Sequence, residues 1–372
     1  MHEQVADQIC KLIARSYKPG DTLPPYRELA VRFGVGDVTV RKALRVLSER
    51  GIVNPIRSRG TVVNRRLDPE EIHLASLGLI IPGTINRMFS QRYLSEIASE
   101  IFRVVDNLPG ADARIFSLRH RTPDSAGAPQ AVVEAGVGAL ILLGVPDNKL
   151  IAEYAALDLA TVVVDQLAPD IPLDFVVVDN PAAAAAAAEH LAAMGHRRVA
   201  YHDKPHSNIT DITGRVLVGQ ESDIYERREF FIQAARRLGM TVVEPVFETT
   251  HDGTGTVPDP ALIDLIRNHP DRAPTAIATN DEVIAMPLIR ELLAAGVRVP
   301  KDVSVIAIAG TEELLDDGRL LTLCRTDFRA MGRVAMELLE ERYRSARPTA
   351  QNVVRIGFEY YPGHTVAPPR RT

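Results

Sequence analysis

Basic side chains are concentrated in the first 66 residues, where 13 Lys and Arg stand against 6 Asp and Glu, while the whole chain has a net charge of −5. Guanidinium, ammonium and hydroxyl groups donate hydrogen bonds to phosphates and base edges. The pattern therefore indicates contact with nucleic acid, and a small helical domain with a solvated basic face is the alternative. The candidate DNA contacts on one predicted helix and one hairpin tip are Thr39, Arg41, Lys42, Arg45, Arg57 and Arg59.

A second set of polar residues follows short apolar strands in the rest of the chain. In parallel α/β sheets, ligands bind beyond the carboxyl ends of the strands. Carboxylate and amide groups there can form paired hydrogen bonds to hydroxyls, which suits a polyhydroxylated ligand. For each residue alone, a helix cap or a loop hydrogen bond is the alternative. The strand-end residues are Asp165, His202, Asp203, Asn280, Asp281 and Ala309–Thr311.

Two short helices and a hairpin are predicted to position the basic residues. LPPYRELAVRFGV and DVTVRKALRVLSERG both carry apolar residues at helical spacing. Gly34 and Gly36 lie in the tight turn between them, and Asp37 or Thr39 is a candidate cap of the second helix. The segment from Ile52 onward alternates into RSRG and TVV. We predict a winged helix-turn-helix over residues 1–66 and a polar linker over 67–73.

The remainder, residues 74–372, alternates apolar strands with amphipathic helices. SLGLII, ARIFSL, GALILL, ATVVV, DFVVV, RRVAY, TVVEPVF, TAIAT and VSVIAI are the predicted strands. The run Ala182–Ala188 predicts a tightly packed helix that starts at Asn180 and Pro181. The fold class is therefore α/β with parallel sheets. About 300 residues exceed one such sheet, so two lobes are expected.

The first 63 residues resemble the GntR family of winged-helix regulators. The matching segments are PGDTLPPYRELA, FGV, TVRKALRVLSERGIV and RGTVV. The resemblance implies that Arg27 and Arg41 contact DNA and that Thr39 holds a phosphate. Where the family has Ser or Thr followed by Arg, this chain has Gly36 and Asp37. Either the DNA site differs from the family norm, or Asp37 serves only as a helix cap, which is the interpretation we favour.

The body resembles the effector domain of the LacI/GalR family, which is itself similar to periplasmic sugar-binding proteins. The matching segments include LGLIIPG, HLAAMGHRRVA, TAIATND, VPKDVSVIAI and LTLCRTDFRAMGRVAMELL. With the GntR-like head, the chain resembles arabinose-repressor-type regulators. That implies a dimer on a palindromic operator, with lobe one at about 74–177 and 325–355 and lobe two at about 178–324 and 356–372. The implied effector contacts are Arg87, Phe89, Asp165, Arg227, Asn280, Asp281 and Phe328.

Three departures concern the effector pocket. Ala309 and Gly310 stand where the family commonly carries an aspartate or asparagine, which removes one acceptor for sugar hydroxyls. Phe230 replaces a glycine, and the insertion at 206–225 lengthens the segment before Arg227. The effector is therefore expected to be a different sugar, a phosphorylated one or one that bears an aglycone. A non-sugar effector or a lost effector is the open alternative.

Other classes of function are disfavoured by missing motifs. The chain has no G-x-S-x-G elbow, P-loop, H-E-x-x-H or dinucleotide-binding glycine pattern, so we expect neither an enzyme nor a cofactor. The histidines lack metal-ligand spacing, and the two isolated cysteines favour a reducing compartment. No apolar run is long enough to span a membrane. We expect a cytoplasmic protein, and a sugar-binding protein without DNA function is the remaining alternative.

Overall fold

The computed structural model describes most of the chain, which forms two compact units. Unit one is Met1–Val176 with Arg329–Val354, and unit two is Val177–Phe328 with Arg355–Thr372. The predicted linker 67–73 and most of the predicted insertion 206–225 lie outside the described residues. Those residues are 2–65, 74–108, 110–118, 128–157, 159–203, 209–210, 216–217, 222–248, 250–251, 256–257, 260–345 and 351–370.

Helices and strands alternate along most of the described chain. None of its helices combines the length and the hydrophobicity that a membrane span requires. The helices are α1 His2–Ser16, α2 Tyr26–Arg32, α3 Asp37–Glu49, α4 Ile85–Ser90, α5 Arg92–Asp106, α6 Pro129–Glu134, α7 Asn148–Ala155, α8 Asn180–Ala193, α9 Ser222–Arg237, α10 Pro260–Asn268, α11 Glu282–Ala294 and α12 Phe328–Arg344. The strands are β1 Val53–Ile56, β2 Gly60–Val63, β3 Ser76–Ile81, β4 Asp112–Ser117, β5 Ala139–Leu143, β6 Ala160–Val164, β7 Asp174–Val178, β8 Arg198–Asp203, β9 Ile209–Thr210, β10 Val216–Leu217, β11 Thr241–Glu248, β12 Thr250–His251, β13 Thr256–Val257, β14 Ala276–Thr279, β15 Ser304–Ala307, β16 Thr322–Thr326, β17 Val353–Ile356 and β18 Phe358–Tyr361.

The N-terminal head packs three helices and a hairpin around one small core. Gly34, with a φ of 64°, ends the segment after α2 in the left-handed conformation that glycine tolerates. Strands β1 and β2 pair antiparallel, with Val53 opposite Val63. These elements confirm the predicted winged helix-turn-helix. Its core residues include Ile9, Ile13, Leu29, Val40, Ala43, Leu47 and Ile52.

The body of unit one is built on a six-stranded sheet in the order β17-β7-β6-β5-β3-β4. Every residue of β3 and β5 is buried, as expected for parallel strands covered on both faces. From β3 the chain moves outward to β4 and then returns to β5 on the other side. The order therefore reverses between β3 and β5, where the strand ends leave a crevice suited to a ligand.

Unit two repeats this plan with a sheet in the order β11-β8-β14-β15-β16-β18. β8 pairs in parallel with both β11 and β14, and the antiparallel strand β18 closes the far edge. Here the order reverses between β8 and β14, so the second crevice lies at their carboxyl ends. The two sheets confirm the predicted parallel α/β fold class.

The alanine run forms α8, which lies in the core of unit two. Asp179 accepts a hydrogen bond from the backbone NH of Ala182, and Pro181 occupies the first turn, where no NH is needed. Ala183 and Ala187 on one face are fully buried. Small side chains permit close packing, and Phe231 of α9 belongs to the same core cluster. The predicted helix is therefore confirmed, with its cap one residue before Asn180.

A buried ion pair connects three segments of unit one. Both guanidinium nitrogens Nε and Nη2 of Arg342 donate to Asp174, at 2.6 and 2.8 Å. Asp174 also accepts a 2.8 Å hydrogen bond from the backbone NH of Asn352. The carboxylate is nearly fully buried, and a bidentate guanidinium satisfies both of its oxygens. One side chain thus joins β7, α12 and the segment that enters β17.

The head also contacts α12 within unit one. The Lys11 Nζ lies 3.1 Å from the centre of the Tyr343 ring. Burial raises the pKa of the Tyr343 hydroxyl, and the neighbouring Asp7 and Cys10 raise it further. Gly138 lies against the same ring, since a Cβ there would be 3.1 Å from the hydroxyl oxygen. α1 of the head therefore rests on the last turn of α12.

We expect Arg342→Met to destabilise the protein strongly, because it leaves the Asp174 carboxylate buried without its cation. The loss should be about 3–5 kcal/mol in the free energy of unfolding, measured by urea denaturation followed by circular dichroism. The control is Arg236→Met, since Arg236 pairs with Glu244 on the surface, where such a pair contributes about 0–1 kcal/mol. Equal losses in the two variants would contradict this role of Arg342.

Candidate functional site

Helix α3 divides into an apolar face and a basic face. Val40, Ala43 and Leu47 are buried in the head. Because residues three and four apart share one side of a helix, the intervening positions point away from this core. The side chains of Arg41, Lys42 and Arg45 are exposed, with Thr39 half-buried in the first turn.

Asp37 does not cap α3, so the favoured prediction for this residue is wrong. The helix begins at Asp37 itself, the N-cap is Gly36, and no side chain makes a capping hydrogen bond. A capping side chain must stand before the first helical residue. The Asp37 carboxylate lies instead 3.9 Å from the Nε of Arg27. The Asp37 carboxylate therefore lies near Arg27, which is itself a candidate DNA contact.

Tyr26, which was not among the predicted site residues, lies under Arg27 and Arg41 of the head. The Arg41 guanidinium carbon lies 4.2 Å from the centre of the Tyr26 ring, and that of Arg27 lies at 5.9 Å. A hydrogen bond from Arg41, and then its charge, lower the pKa of the Tyr26 hydroxyl. Arg27 and Arg41 are thus held together on one exposed patch by Tyr26.

The other basic candidates are distributed over the helix and the wing. Arg45 points along α3 and pairs with Glu49 at 3.0 Å. Arg57 and Arg59 are exposed in the turn between β1 and β2. The wing is attached to the helical part through the backbone, since the NH of Leu23 donates to Thr61. The head therefore offers a recognition helix and a separate basic hairpin tip, the two elements with which winged helices reach DNA.

In unit one, Asp165 stands at the carboxyl end of β6 in an unusual conformation. Its φ of 65° is the only positive value at a non-glycine residue in the described chain. Strained backbone of this kind costs energy and is concentrated at ligand sites. Gly144, at the end of neighbouring β5, also has a positive φ, and a Cβ there would lie 4.0 Å from Asp165 Oδ2. The ends of β5 and β6 thus place a carboxylate beside the backbone of a glycine, which has no side chain.

The first-loop candidates lie in α4, next to the β3 end. Phe89 exposes 54% of its surface, which is high for a phenylalanine. Arg87 belongs to the same helix, but its side chain is outside what the structure describes. Ser117 at the end of β4 donates to the backbone oxygen of Gly83 and so ties this loop to the sheet.

In unit two, Arg227 is buried in the first half of α9, the helix that precedes β11. Its Nε donates to Asn180 Oδ1 at 2.8 Å, and its Nη1 lies 3.5 Å from the backbone oxygen of Asn280. Asn180 also donates to Glu226 at 3.2 Å, and Glu226 pairs with Arg355 at 2.9 Å. The guanidinium group of Arg227 therefore contacts the first residue of α8 and the residue that follows β14.

The end of β8 contributes two buried ionisable groups. Asp203 lies 3.9 Å from the Nη1 of Arg228. Burial lowers the pKa of His202 to about 4, so its imidazole is neutral at physiological pH. Across the described residues, no group of three or more His, Cys, Asp and Glu side chains is arranged to hold a metal ion. A neutral imidazole and a carboxylate beside Arg228 can bind polar groups of a ligand.

The Asn280–Asp281 pair directly precedes α11. Asp281 Oδ1 accepts from the backbone NH of Ile284, so this residue is a helix cap, as the alternative interpretation allowed. Its Oδ2 accepts from Asn280 Nδ2 at 3.0 Å. Phe328 begins α12 two residues after β16 and is buried. Among the predicted residues, the structure joins Arg227 to Asn280 and Asn280 to Asp281.

Four residues of these clusters were not selected from the sequence. Asn180 was assigned only to a helix start, and Arg228 follows Arg227 with no separate motif. Glu282 follows the Asn-Asp pair, and Tyr26 precedes Arg27. Their partners are up to 47 residues away in the sequence, as for Arg227 and Asn180. For this region, the sequence pattern indicated only where the strands end.

Comparison with protein families assigns both parts of the chain. Residues 1–63 match the model of bacterial regulatory proteins of the gntR family, and residues 188–366 match a periplasmic binding protein-like domain. The predicted combination of a GntR-type head with a LacI/GalR-type body is confirmed. The chain therefore carries a DNA-binding regulator domain joined to a domain of ligand-binding type.

The similar curated proteins are transcriptional regulators. The arabinose metabolism transcriptional repressor of Geobacillus stearothermophilus is 21% identical over 88% of this chain and 86% of its own length. The Escherichia coli repressor CytR is 26% identical over 56% of this chain and 57% of its own length. The mannosyl-D-glycerate transport/metabolism system repressor MngR of E. coli is 48% identical, but over 17% of this chain and 27% of its own length.

Solved structures show the same fold at low identity. The lac repressor dimer bound to operator and the anti-inducer ONPF has a TM-score of 0.61, with 17% identity over 80% of this chain and 96% of that chain. A LacI family transcriptional regulator from Mycobacterium smegmatis has a TM-score of 0.60, with 19% identity over 79% of this chain and all of that chain. These likenesses support the two-sheet fold described above.

We expect Arg41→Ala to weaken DNA binding by about 1–3 kcal/mol and to relax specificity at one base pair, if the guanidinium reads a base. The measurement is fluorescence anisotropy with a fragment from the protein's own upstream region and with single-base variants of it. Arg236→Ala, which removes an exposed arginine outside the head, is the control. A uniform loss over all fragments would assign Arg41 to a phosphate instead.

The same assay tests the support from Tyr26. Tyr26→Ala should weaken binding by about two- to fivefold, the range for an exposed cation–π contact. Tyr26→Phe keeps the ring and should retain most of the affinity. Because the Tyr26 ring lies under Arg41, Tyr26→Ala should add little to Arg41→Ala. Additive losses in the double variant would mean that Tyr26 acts independently of Arg41.

Proposed function

We propose that this chain, with its gntR-type head and periplasmic-binding-protein-like body, is a ligand-responsive transcriptional repressor of carbohydrate-related genes. One observation carries the proposal: an exposed arginine patch on a recognition helix and polar strand-end clusters at two topological switch points occur in one polypeptide. The first is suited to DNA and the second to a small polar effector. The names of the similar repressors support the link to carbohydrates.

The DNA site of this proposal is a palindrome bound by a homodimer. Two-fold symmetric proteins place their recognition helices about 34 Å apart, one turn of the double helix, so that each reads one half-site. The head contributes Arg27, Arg41 and Lys42 on the helix and Arg57 with Arg59 on the wing. Phosphate contacts from these cations position the protein, and base contacts select the sequence.

The effector of this proposal is a carbohydrate or a carbohydrate derivative. Asp165 and Phe89 are the contacts offered by unit one, together with Arg87. Unit two offers Arg227 and Asn280, with Asp281 holding the amide of Asn280 in place. Phe328 supplies an apolar face of the kind that packs on sugar rings. Effector and operator affinities are then thermodynamically coupled, and each changes the other by the same factor.

The test is DNA binding by the full-length protein to its upstream region, with and without a pooled mixture of sugars. Affinity should fall about 10³-fold or more between 50 and 200 mM salt, because several phosphate contacts release counterions. A response to the pool supports both parts of the proposal. Binding that ignores the pool would favour a non-sugar or lost effector. Absence of sequence-specific binding would leave a ligand-binding protein without DNA function.

We expect Asp165→Asn to abolish or weaken the effector response while DNA binding is unchanged. Asparagine tolerates the positive φ of this position, so the variant removes the charge without adding backbone strain. The response is measured as the effector concentration that changes operator binding by half. Asp170→Asn, at an exposed position in the following loop, is the matched control. An unchanged response in Asp165→Asn would remove this residue from the site.

A further inference from the structure

A buried carboxylate lies beside the ends of β14 and β15 in unit two. Glu282, the first residue of α11, is 9% exposed. Its Oε1 receives a long hydrogen bond of 3.4 Å from Thr311 Oγ1. Within the described part of the chain, no Lys, Arg or His forms an ion pair with it. Backbone NH groups of Glu282 and Thr311 also donate to this carboxylate. An ionised group without a cation is still costly to bury, which is unusual unless it has a use.

Gly310 makes room for this carboxylate. A Cβ on Gly310 would lie 1.9 Å from Glu282 Oε2, and the φ of 132° also disfavours any other residue. The sequence suggested that Ala309 and Gly310 remove a hydrogen-bond acceptor from this edge of the sheet. In the structure, the carboxylate of Glu282 occupies the volume that a side chain at position 310 would take.

Two further polar groups at the same edge lack hydrogen-bond partners among the described residues. Asn280 Oδ1, at the end of β14, and Thr326 Oγ1, at the end of β16, are both buried in this way. The backbone NH of Thr326 donates to Gly310 at 3.0 Å, which places Thr326 next to the Glu282 carboxylate. Two strand ends thus present unsatisfied oxygens beside the Glu282 carboxylate. Buried polar groups without partners are rare in native proteins and call for an explanation such as a ligand or ion.

The electrostatic surroundings of Glu282 are unfavourable to its charge. Burial first, and then the negative charge of Asp281 with a smaller contribution from Glu313, raise the pKa of Glu282 to about 7, although backbone NH donors of Glu282 and Thr311 lower it in part. Asp281 stands before it at the start of the same helix, and Glu313 lies in the segment after β15. A hydrogen-bond donor brought by a ligand would add to these hydrogen bonds at a carboxylate that has no cation among the described residues.

We propose that Glu282, with Asn280, Thr311 and Thr326, forms an acceptor site for the hydrogen-bond-donating head of the effector, a sugar hydroxyl or a sugar ammonium group. This assignment rests on the proposed function, since it concerns the effector of that repressor. It names the residue that takes the place of the acceptor missing at Gly310. It also names the chemistry of the ligand group that lies there.

The experiment compares wild type with Glu282→Gln in a thermal-shift and calorimetric assay. The probes are D-glucose, D-galactose, D-mannose, D-xylose and L-arabinose, together with glucosamine, galactosamine and mannosamine. Glutamine has nearly the same shape but loses the charge and one acceptor oxygen. We expect at least one probe to stabilise wild type and its Kd to rise about 10- to 100-fold in Glu282→Gln, the range for a hydrogen bond to a charged group. Glu291→Gln, exposed on the same helix, is the control.

The pH separates the two ligand sources. An amino sugar should bind more tightly near pH 7 than at pH 6, because its ammonium group needs the ionised carboxylate, and at higher pH the amine itself loses its proton. A neutral sugar should lose less affinity than an amino sugar at pH 6, since the protonated carboxyl group still accepts a hydrogen bond. Preference for the amino member of a matched pair, lost in Glu282→Gln, would identify the ammonium group as the donor.

If Glu282 only stabilised the fold, its substitution would change the melting temperature and not the affinity for ligand. The folded pKa lies above the unfolded value, so the native state binds the extra proton and stability should rise as pH falls from about 7 towards 4.5. Glu282→Gln should remove this pH dependence and leave the ligand-free melting temperature at pH 8 unchanged or higher. A lower melting temperature with unchanged ligand affinity would overturn the proposal.

The remaining outcomes separate this site from the proposed function. If no probe stabilises wild type, the assigned ligand chemistry is wrong, whereas operator binding is judged by its own assay. If a probe binds and Glu282→Gln binds it equally well, the effector lies elsewhere and Glu282 is not part of its site. If the upstream DNA is not bound but the sugar result holds, the acceptor site stands and the repressor assignment fails.

Discussion

One buried carboxylate in unit one, that of Asp174, holds together the three segments through which the chain passes between its two units. Asp174 holds Arg342 of α12 and the backbone of Asn352, and these three segments are the ones that pass from one unit to the other. In unit two, Glu226 has a similar role, because it accepts hydrogen bonds from Asn180 and from Arg355. Since Arg227 follows Glu226 directly, a candidate effector residue is attached to the crossing segments themselves. Such networks contribute more when complete than their separate pairs suggest.

The sheet topology then determines where polar chemistry can occur. Strands buried on both faces leave little room for charged or amide side chains in the middle of the sheet, so carboxylates and amides collect at the strand ends. There they must either satisfy one another or bind a ligand. Asp281 is satisfied as a helix cap, whereas Asn280 Oδ1 has no such partner among the described residues. The same edge of the sheet thus contains polar groups that cap helices and polar groups that are left to bind a ligand.

The sequence predicted the framework well because the framework depends on local patterns. Apolar runs such as ALILL and SLGLII identify buried strands, and Gly34 with the basic helix identifies the winged head. Asp37 was misassigned because capping depends on which residue begins the helix, and a shift of one position changes the partner to Arg27. Glu282 could not be found, since its position follows from the missing side chain of Gly310, which lies in the segment after β15.

The contact between Lys11 and Tyr343 limits how strongly the body can influence the head by this route. α12 begins at Phe328, a candidate effector residue, and ends next to the ring that Lys11 covers. A conformational change can alter DNA affinity only by the difference in interaction free energy between its two states. A cation–π contact contributes about 0.5–2 kcal/mol, whereas allosteric couplings are typically about 1–3 kcal/mol. Complete loss of this one contact would thus account for a small coupling, and a larger one would also require a change in the packing of Tyr343 against α1.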